Sequence, residues 1–322
     1  MISVIVPTKN SVDTVARCIR SVRDCNYPNM EIIVVDGGSS DGTAEVVESM
    51  GVLVITGFGR SRASDCNIAI KHARGEIVAF TDSDCIVDKQ WLWKLEEMFA
   101  DVNVGVAGGP DLTRPENLTK VSLAEGLIHS FYRGLASKDD TDALIGCNSA
   151  YRTSRLLQVG GFNSQLPGAE DTELNSRMVR AGNIIRTDVN CRVFKLRNYT
   201  YSSLARKYWR YGKEIGIVER HFHSFTTRRR VQFYSLLAGI IGVALVSLYY
   251  PLFLPITFAA YVTVCLGLYL HLSRVSGFRP GALIFLLSST ICLVGFLLGF
   301  AKGRFVLRLP PQPELMNNAN RG

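Results

Sequence analysis

The sequence predicts an α/β domain on a mostly parallel central sheet, followed by an interfacial helix and C-terminal transmembrane helices. Three observations predict it. Short apolar, β-branched runs alternate with amphipathic stretches through the N-terminal part of the chain, the pattern of strand–crossover–strand units. Two of those runs end in carboxylates, at Asp36 and at Asp82-Ser83-Asp84. Toward the C-terminus the composition changes to long stretches without charge.

The first strand covers Ser3 to Val6 and stops at Pro7-Thr8-Lys9-Asn10. Asn10 or Ser11 then caps a helix that carries Val12, Val15, Ile19 and Val22 on one face. The second strand, Ile32 to Val35, runs into Asp36-Gly37-Gly38-Ser39-Ser40-Asp41-Gly42-Thr43. Its glycines allow the turns of a strand-to-helix connection, and Ser40 or Asp41 caps the helix Ala44 to Met50. A further buried strand, Ile77 to Thr81, ends at Asp82-Ser83-Asp84. Two carboxylates so placed offer hard oxygen ligands to Mg²⁺ or Mn²⁺, which completes its shell with phosphates and water. Ligands of open α/β sheets sit beyond the carboxyl ends of the strands, so the pair reads as the edge of a metal–diphosphate site. A solvated surface turn is the bland alternative, and the second acidic strand end at Asp36 weighs against it.

The segments VIVPTKN (Val4 to Asn10), VVDGGSSDGT (Val34 to Thr43) and GEIVAFTDSD (Gly75 to Asp84) resemble family 2 of the inverting glycosyltransferases. GCNSAYR (Gly146 to Arg152), VGGF (Val159 to Phe162) and AEDTELNSRMVRAG (Ala169 to Gly182) continue the likeness in order, to roughly Val218. The resemblance implies a GT-A fold, a UDP- or GDP-linked sugar donor and a divalent cation, Mg²⁺ or Mn²⁺. It implies that Pro7 and Thr8 stand on the donor side, that Asp36 receives the base, and that Asp82 meets the ribose or the metal shell. Asp84 would bind the cation. Asp171, in the Glu170-Asp171 pair, would be the catalytic base, with Gly146, Asn148 and Arg210 on the acceptor side. An acidic first turn of a helix, favoured by the macrodipole, is a second reason for that pair.

Two departures from the family pattern stand out. In the run Asp65-Cys66-Asn67-Ile68-Ala69, cysteine replaces the usual arginine and alanine the usual glycine, while Asn67 keeps its place on the donor side. Arg60 and Arg62 are candidates to supply the missing charge to the diphosphate. In Lys207-Tyr208-Trp209-Arg210-Tyr211, only Arg210 remains of the Gln-x-x-Arg-Trp of processive polysaccharide synthases. Transfer of a single sugar is therefore expected. The chemistry asks for one carboxylate as general base on the acceptor side. It needs no protein nucleophile, and no Walker loop (G-x-x-x-x-G-K-S/T) is present.

Three stretches are long enough to cross a membrane: Phe233 to Tyr250, Leu252 to Leu272 and Ala282 to Ala301. Arg228, Arg229 and Arg230 before the first, with Arg274 and Arg279 after the second, place the catalytic domain in the cytoplasm of a multi-pass cell-membrane protein. Lys302, Arg304 and Arg308 conflict with an odd number of crossings. Ser202 to Phe225, basic and aromatic, suits a helix in the headgroup layer. The expected organisation is 1–200 catalytic domain, 201–230 interfacial segment, 231–303 transmembrane helices and 304–322 polar tail.

A net charge of +8 favours anionic lipid and anionic substrates, and no nucleic-acid motif is present. The eight cysteines show no C-x-x-C spacing and read as reduced thiols. Met1 leads straight into a strand, so no cleavable leader is expected. Lys138 to Thr141 reads as a loop that closes over the donor. The sequence thus points to single-sugar transfer from a nucleoside diphosphate sugar to a polyprenyl phosphate or lipid-linked oligosaccharide. A processive polysaccharide synthase is the alternative within the same chemistry, and a nucleotidyltransferase and a catalytically silent membrane scaffold are the rivals of another class.

Overall fold

The structure, a computed structural model, describes residues 1–113, 119–134, 144–196, 198–222, 250, 253–276 and 280–306. Strands and helices alternate at first: β1 (Ile2–Thr8), α1 (Val15–Arg23), β2 (Met30–Asp36), α2 (Thr43–Ser49), β3 (Leu53–Thr56), α3 (Arg62–His72) and β4 (Ile77–Phe80). There follow β5 (Cys85–Val87), α4 (Trp91–Phe99), β6 (Val104–Gly108), β7 (Asp111–Thr113), α5 (Lys120–Gly134), β8 (Ser149–Arg152), α6 (Thr153–Gln158) and α7 (Glu170–Arg180). β9 (Ile184–Thr187), β10 (Val193–Lys195), α8 (Tyr201–Phe222), α9 (Phe253–Ser276) and α10 (Ala282–Ala301) complete the order.

The main sheet runs β3-β2-β1-β4-β8-β6-β9, and β5-β10-β7 form a small second sheet. β1 pairs in parallel with both β2 and β4, while β8 is antiparallel to β4 and β6. Helices cover both faces of β1, so six of its seven residues are buried; that is why the strand reads as a continuous apolar run. One apolar cluster gathers α1 and α4 beneath the sheet around Val4, Ile19 and Trp91, and another gathers α3, α6 and α7 around Ile5, Phe80 and Leu174.

The expected helix caps are corrected. Thr14 precedes α1, leaving Val12 outside the helix, and Gly42 precedes α2. Asp41 instead ties the two loops together, accepting from Val12 N at 3.1 Å and from Thr43 N at 3.1 Å. Loop-to-loop closure wins over simple capping because both connections crowd onto one sheet edge.

Among the described residues, two helices are long and apolar enough to cross a membrane, Pro255–Arg274 and Ala282–Phe305. They form a hairpin in which the Tyr269 ring meets Phe285 at 5.6 Å and Tyr261 pairs with Thr290 at 3.1 Å. The expected span Phe233 to Tyr250 lies largely outside the described residues, as do Arg228 to Arg230, Arg279, Arg308, Lys138 to Thr141 and the tail.

α8 packs closely against α10. A Cβ on Gly299 would strike the Trp209 carbonyl oxygen, one on Gly303 that of Lys213, and one on Gly212 that of Phe296. The constant offset between partners makes the two helices parallel. α8 therefore cannot lie flat on a membrane surface while α10 stands upright through it.

Candidate active site

The parallel strands deliver Thr8, Asp36 and Asp82 to one sheet edge, with Thr8 directly opposite Asp36 in the register. Because β8 is antiparallel, its first residue, Ser149, reaches the same edge opposite Phe80. The turn Gly146–Asn148 and the N-terminus of α7 close over it. Ala169, just before Glu170, holds a left-handed backbone at φ 55°, a conformation that costs a non-glycine residue on the order of 1 kcal/mol.

Arg62 sits at the centre. Its guanidinium donates to Glu170 Oε1 at 2.9 Å, to Asp82 Oδ1 at 3.1 Å and to the Gly146 carbonyl at 3.1 Å. It thereby links the strand-end carboxylate, the α7 pair and the turn. Asp171 Oδ2 accepts from Gly146 N and Oδ1 from Thr172 N, each at 2.7 Å. Burial first, and the neighbouring Glu170 second, push the Asp171 carboxyl above the ordinary aspartate range, against those two donors.

On the other side, Asp36 accepts from Ser39 N at 3.1 Å and from the Ser39 hydroxyl. The buried hydroxyls of Thr8, Thr81 and Ser149 have no hydrogen-bond partner among the described residues. Partnerless buried hydroxyls are costly, and three of them border this one edge. Asp82 and Asp84 are half-buried. A carboxylate-only donor pair at a strand end fits a hard divalent cation that completes its shell with phosphate oxygens and water.

Not every expected residue meets the cluster. Asn67 is engaged with the backbone of Phe162, donating to its carbonyl at 2.7 Å and accepting from its N–H at 2.9 Å. Asn148 is fully buried; it accepts from Trp91 Nε1 at 2.8 Å and donates to the carbonyls of Pro110 and Cys191. Its amide has no face left for an acceptor, so it shapes the turn only from behind. Arg60 stacks over exposed Phe58, and Arg210 is largely exposed on α8, 3.8 Å from Glu214.

Three residues escape sequence reasoning. Asp65 accepts from Phe58 N at 2.8 Å and Gly59 N at 3.2 Å, holding the loop beside Gly37. Lys195 pairs with buried Asp111 at 3.3 Å. Glu214 rests its carboxylate against Gly168, in the space a side chain there would fill. Burial pushes Glu214 up to about 7, and Glu170 and Asp171 add to the shift. Only its i+4 spacing from Arg210 hints at any of this in the sequence.

A mostly parallel sheet with acidic strand ends and a helix-borne acid pair on one edge is the GT-A architecture of nucleotide-sugar enzymes. Residues 3–159 match Glycosyl transferase family 2, and the chain carries a glycosyltransferase domain of that family. Its fold is that of the mannosyltransferase PcManGT from Pyrobaculum calidifontis, solved with GDP-Man and Mn²⁺, at a TM-score of 0.66 and 20% identity over 94% of this chain and 87% of that one. The glycosyltransferase AglE of Haloferax volcanii is 26% identical over 190 residues, 56% of this chain and 62% of the relative. An Escherichia coli protein, the UDP-Glc:alpha-D-GlcNAc-diphosphoundecaprenol beta-1,3-glucosyltransferase WfgD, is 36% identical over 90 residues, 27% of this chain and 36% of its own length. The chain thus spans less than two-thirds of either curated relative.

Proposed function

We propose that this protein is a metal-dependent inverting glycosyltransferase that moves one sugar from a nucleoside diphosphate to a lipid-linked acceptor. The observation that carries this reading is the Arg62 bridge, which ties Asp82 on the donor side to Glu170 beside Asp171. Asp36 and Thr8 form the nucleoside end, where the partnerless Thr8 hydroxyl is ready for a ligand. Asp171 accepts the proton of the acceptor hydroxyl as that oxygen attacks the anomeric carbon. Its raised proton affinity makes it a stronger base than an ordinary aspartate. Arg62 fixes Glu170 and keeps the two adjacent carboxylates from drifting apart.

Asp84 and Asp82 are the residues to hold Mg²⁺ or Mn²⁺, which when bound offsets the charge of the departing diphosphate. PcManGT's GDP-Man and Mn²⁺ support a donor and cation of these classes, and WfgD's diphosphoundecaprenol substrate supports a polyprenyl-linked acceptor. α9 and α10 anchor the enzyme at the cell membrane, with the catalytic domain on the cytoplasmic side, where nucleotide sugars are made. The test incubates membranes containing the full chain with labelled UDP- and GDP-sugars, with and without EDTA. Metal-dependent label in the lipid fraction is expected. Label transferred from the α-phosphate of a nucleotide would overturn the reading in favour of nucleotidyl transfer, and no label in favour of a silent scaffold.

A further inference from the structure

Directly beneath the candidate cation site lie two thiols that glycosyl transfer does not require. Cys85 opens β5 immediately after Asp84, and Cys147 occupies the middle of the turn between Gly146 and Asn148. Both are buried, and they are hydrogen-bond partners of one another. One ligand atom each from Asp82, Cys85 and Cys147 falls within 4.8 Å of the other two. Among the described residues, no other trio of histidine, cysteine or acidic side chains comes together in this way.

We propose that Asp82, Cys85 and Cys147 form a second metal site, selective for a thiophilic ion such as Zn²⁺, which blocks the enzyme when filled. Two thiolates and one carboxylate are a donor set for zinc, with water or a phosphate oxygen in the fourth position. Ligands at zinc–sulfur distance in a tetrahedral shell stand about 3.8 Å apart, so closing the trio takes movements of about 1 Å. Each thiol that ligates loses its proton, so two protons are released for each ion bound. The ammonium of Lys195 acts on both thiols and on Asp82, and it stabilises the thiolates once those protons have left.

The two sites compete because they share Asp82. Cys85 Sγ lies 3.7 Å from Asp84 Oδ1, so a zinc ion held by the thiols crowds the position of the hard cation. It also draws Asp82 away from Arg62, undoing one arm of the bridge between donor and acceptor sides. Mg²⁺, which shuns sulfur, has no reason to occupy the lower site.

The experiment titrates the full-length chain in detergent with Cd²⁺, a spectroscopic stand-in for Zn²⁺, and follows the thiolate-to-metal charge-transfer absorption. One ion per chain with a band for two thiolates is expected, and the band should be lost in Cys85→Ala and in Cys147→Ala. X-ray absorption of the one-to-one Zn²⁺ complex of the unsubstituted chain decides the matter if either variant misfolds. Two sulfur neighbours at about 2.3 Å support the site, and a shell of oxygen and nitrogen alone overturns it. A band undiminished in both variants overturns it as well. These readouts need no turnover, so they stand or fall apart from the transferase reading. Inhibition by Zn²⁺ that Cys147→Ala relieves would complete the case, and equal inhibition of both proteins would refute the blocking role.

Discussion

The carboxylates of the site were legible residue by residue because each follows a recognisable signal: a β-branched run for Asp36, Asp82 and Asp84, and a helix start for Glu170 and Asp171. The asparagines were not. Asn67 and Asn148 carry the same amide chemistry whether they face a ligand or a backbone, and their partners come from segments far along the chain. Arg62 and Asp171 make opposite demands on the site. The arginine pairs with two acids at 2.9 and 3.1 Å, while burial resists charge on the third. On the proposed assignment of Asp171 as the base, Asp171→Asn removes the proton acceptor and keeps its shape, so turnover should fall by about 10²–10⁴-fold with donor affinity near normal. Single-turnover rates and donor titration measure the two parts, and loss of donor binding would dismiss the assignment. In the unsubstituted enzyme, kcat/KM should rise with pH through an apparent pKa above the ordinary aspartate range, because a base works only when ionised.

At the level of elements, the strands and crossover helices announced themselves through periodicity, but the pairing of α8 with α10 did not. Glycines at 212 and 216, and at 295, 299 and 303, recur every fourth residue; sequence alone does not say which two stripes meet. In the structure they let backbones touch. Gly299→Ala should therefore cost about 1–3 kcal/mol through overpacking, whereas Gly267→Ala on α9, where a Cβ meets nothing within 4 Å, should cost none. Thermal unfolding in detergent distinguishes them, and equal losses would deny the close contact.

α8 also carries Glu214 toward the α7 pair. Its carboxyl is raised from 4.5 to about 7 in the folded state, with Arg210 and Lys213 opposing the shift and Glu170 and Asp171 adding to it. The folded protein then binds more protons than the unfolded chain between those values, so this group erodes stability as pH rises from about 4.5 to about 7. Glu214→Gln should remove up to about 3 kcal/mol of that loss. Denaturant titrations of both proteins at pH 5 and 8 read the difference, and parallel pH profiles would exclude the effect.

The whole molecule joins a catalytic domain to apolar helices, and how they meet the membrane follows from which faces are covered. Composition alone marks α10 as a crossing helix. The structure, however, covers one face of it along its length: α5 and the start of α8 pack around Phe285 and Cys292, and α8 continues past Phe300. The opposite face leaves Leu283, Leu287, Val294, Leu298 and Phe305 exposed in one stripe. Beside its second half run the exposed Arg206 and Arg210 of α8, and each arginine held at mid-bilayer costs about 2.5–3.5 kcal/mol on insertion scales. Before that half, Ala282 to Val294 spans only about 20 Å at the helical rise, short of the roughly 30 Å hydrocarbon core. These constraints agree if α8 and α10 lie together along the membrane surface, with the leucine stripe dipping into the acyl chains. Fluorophores on Leu283→Cys and Leu298→Cys, read with lipid quenchers at set depths, should then report equal depth. An upright helix would separate the two positions by about 22 Å, and a depth difference of that order would restore the crossing.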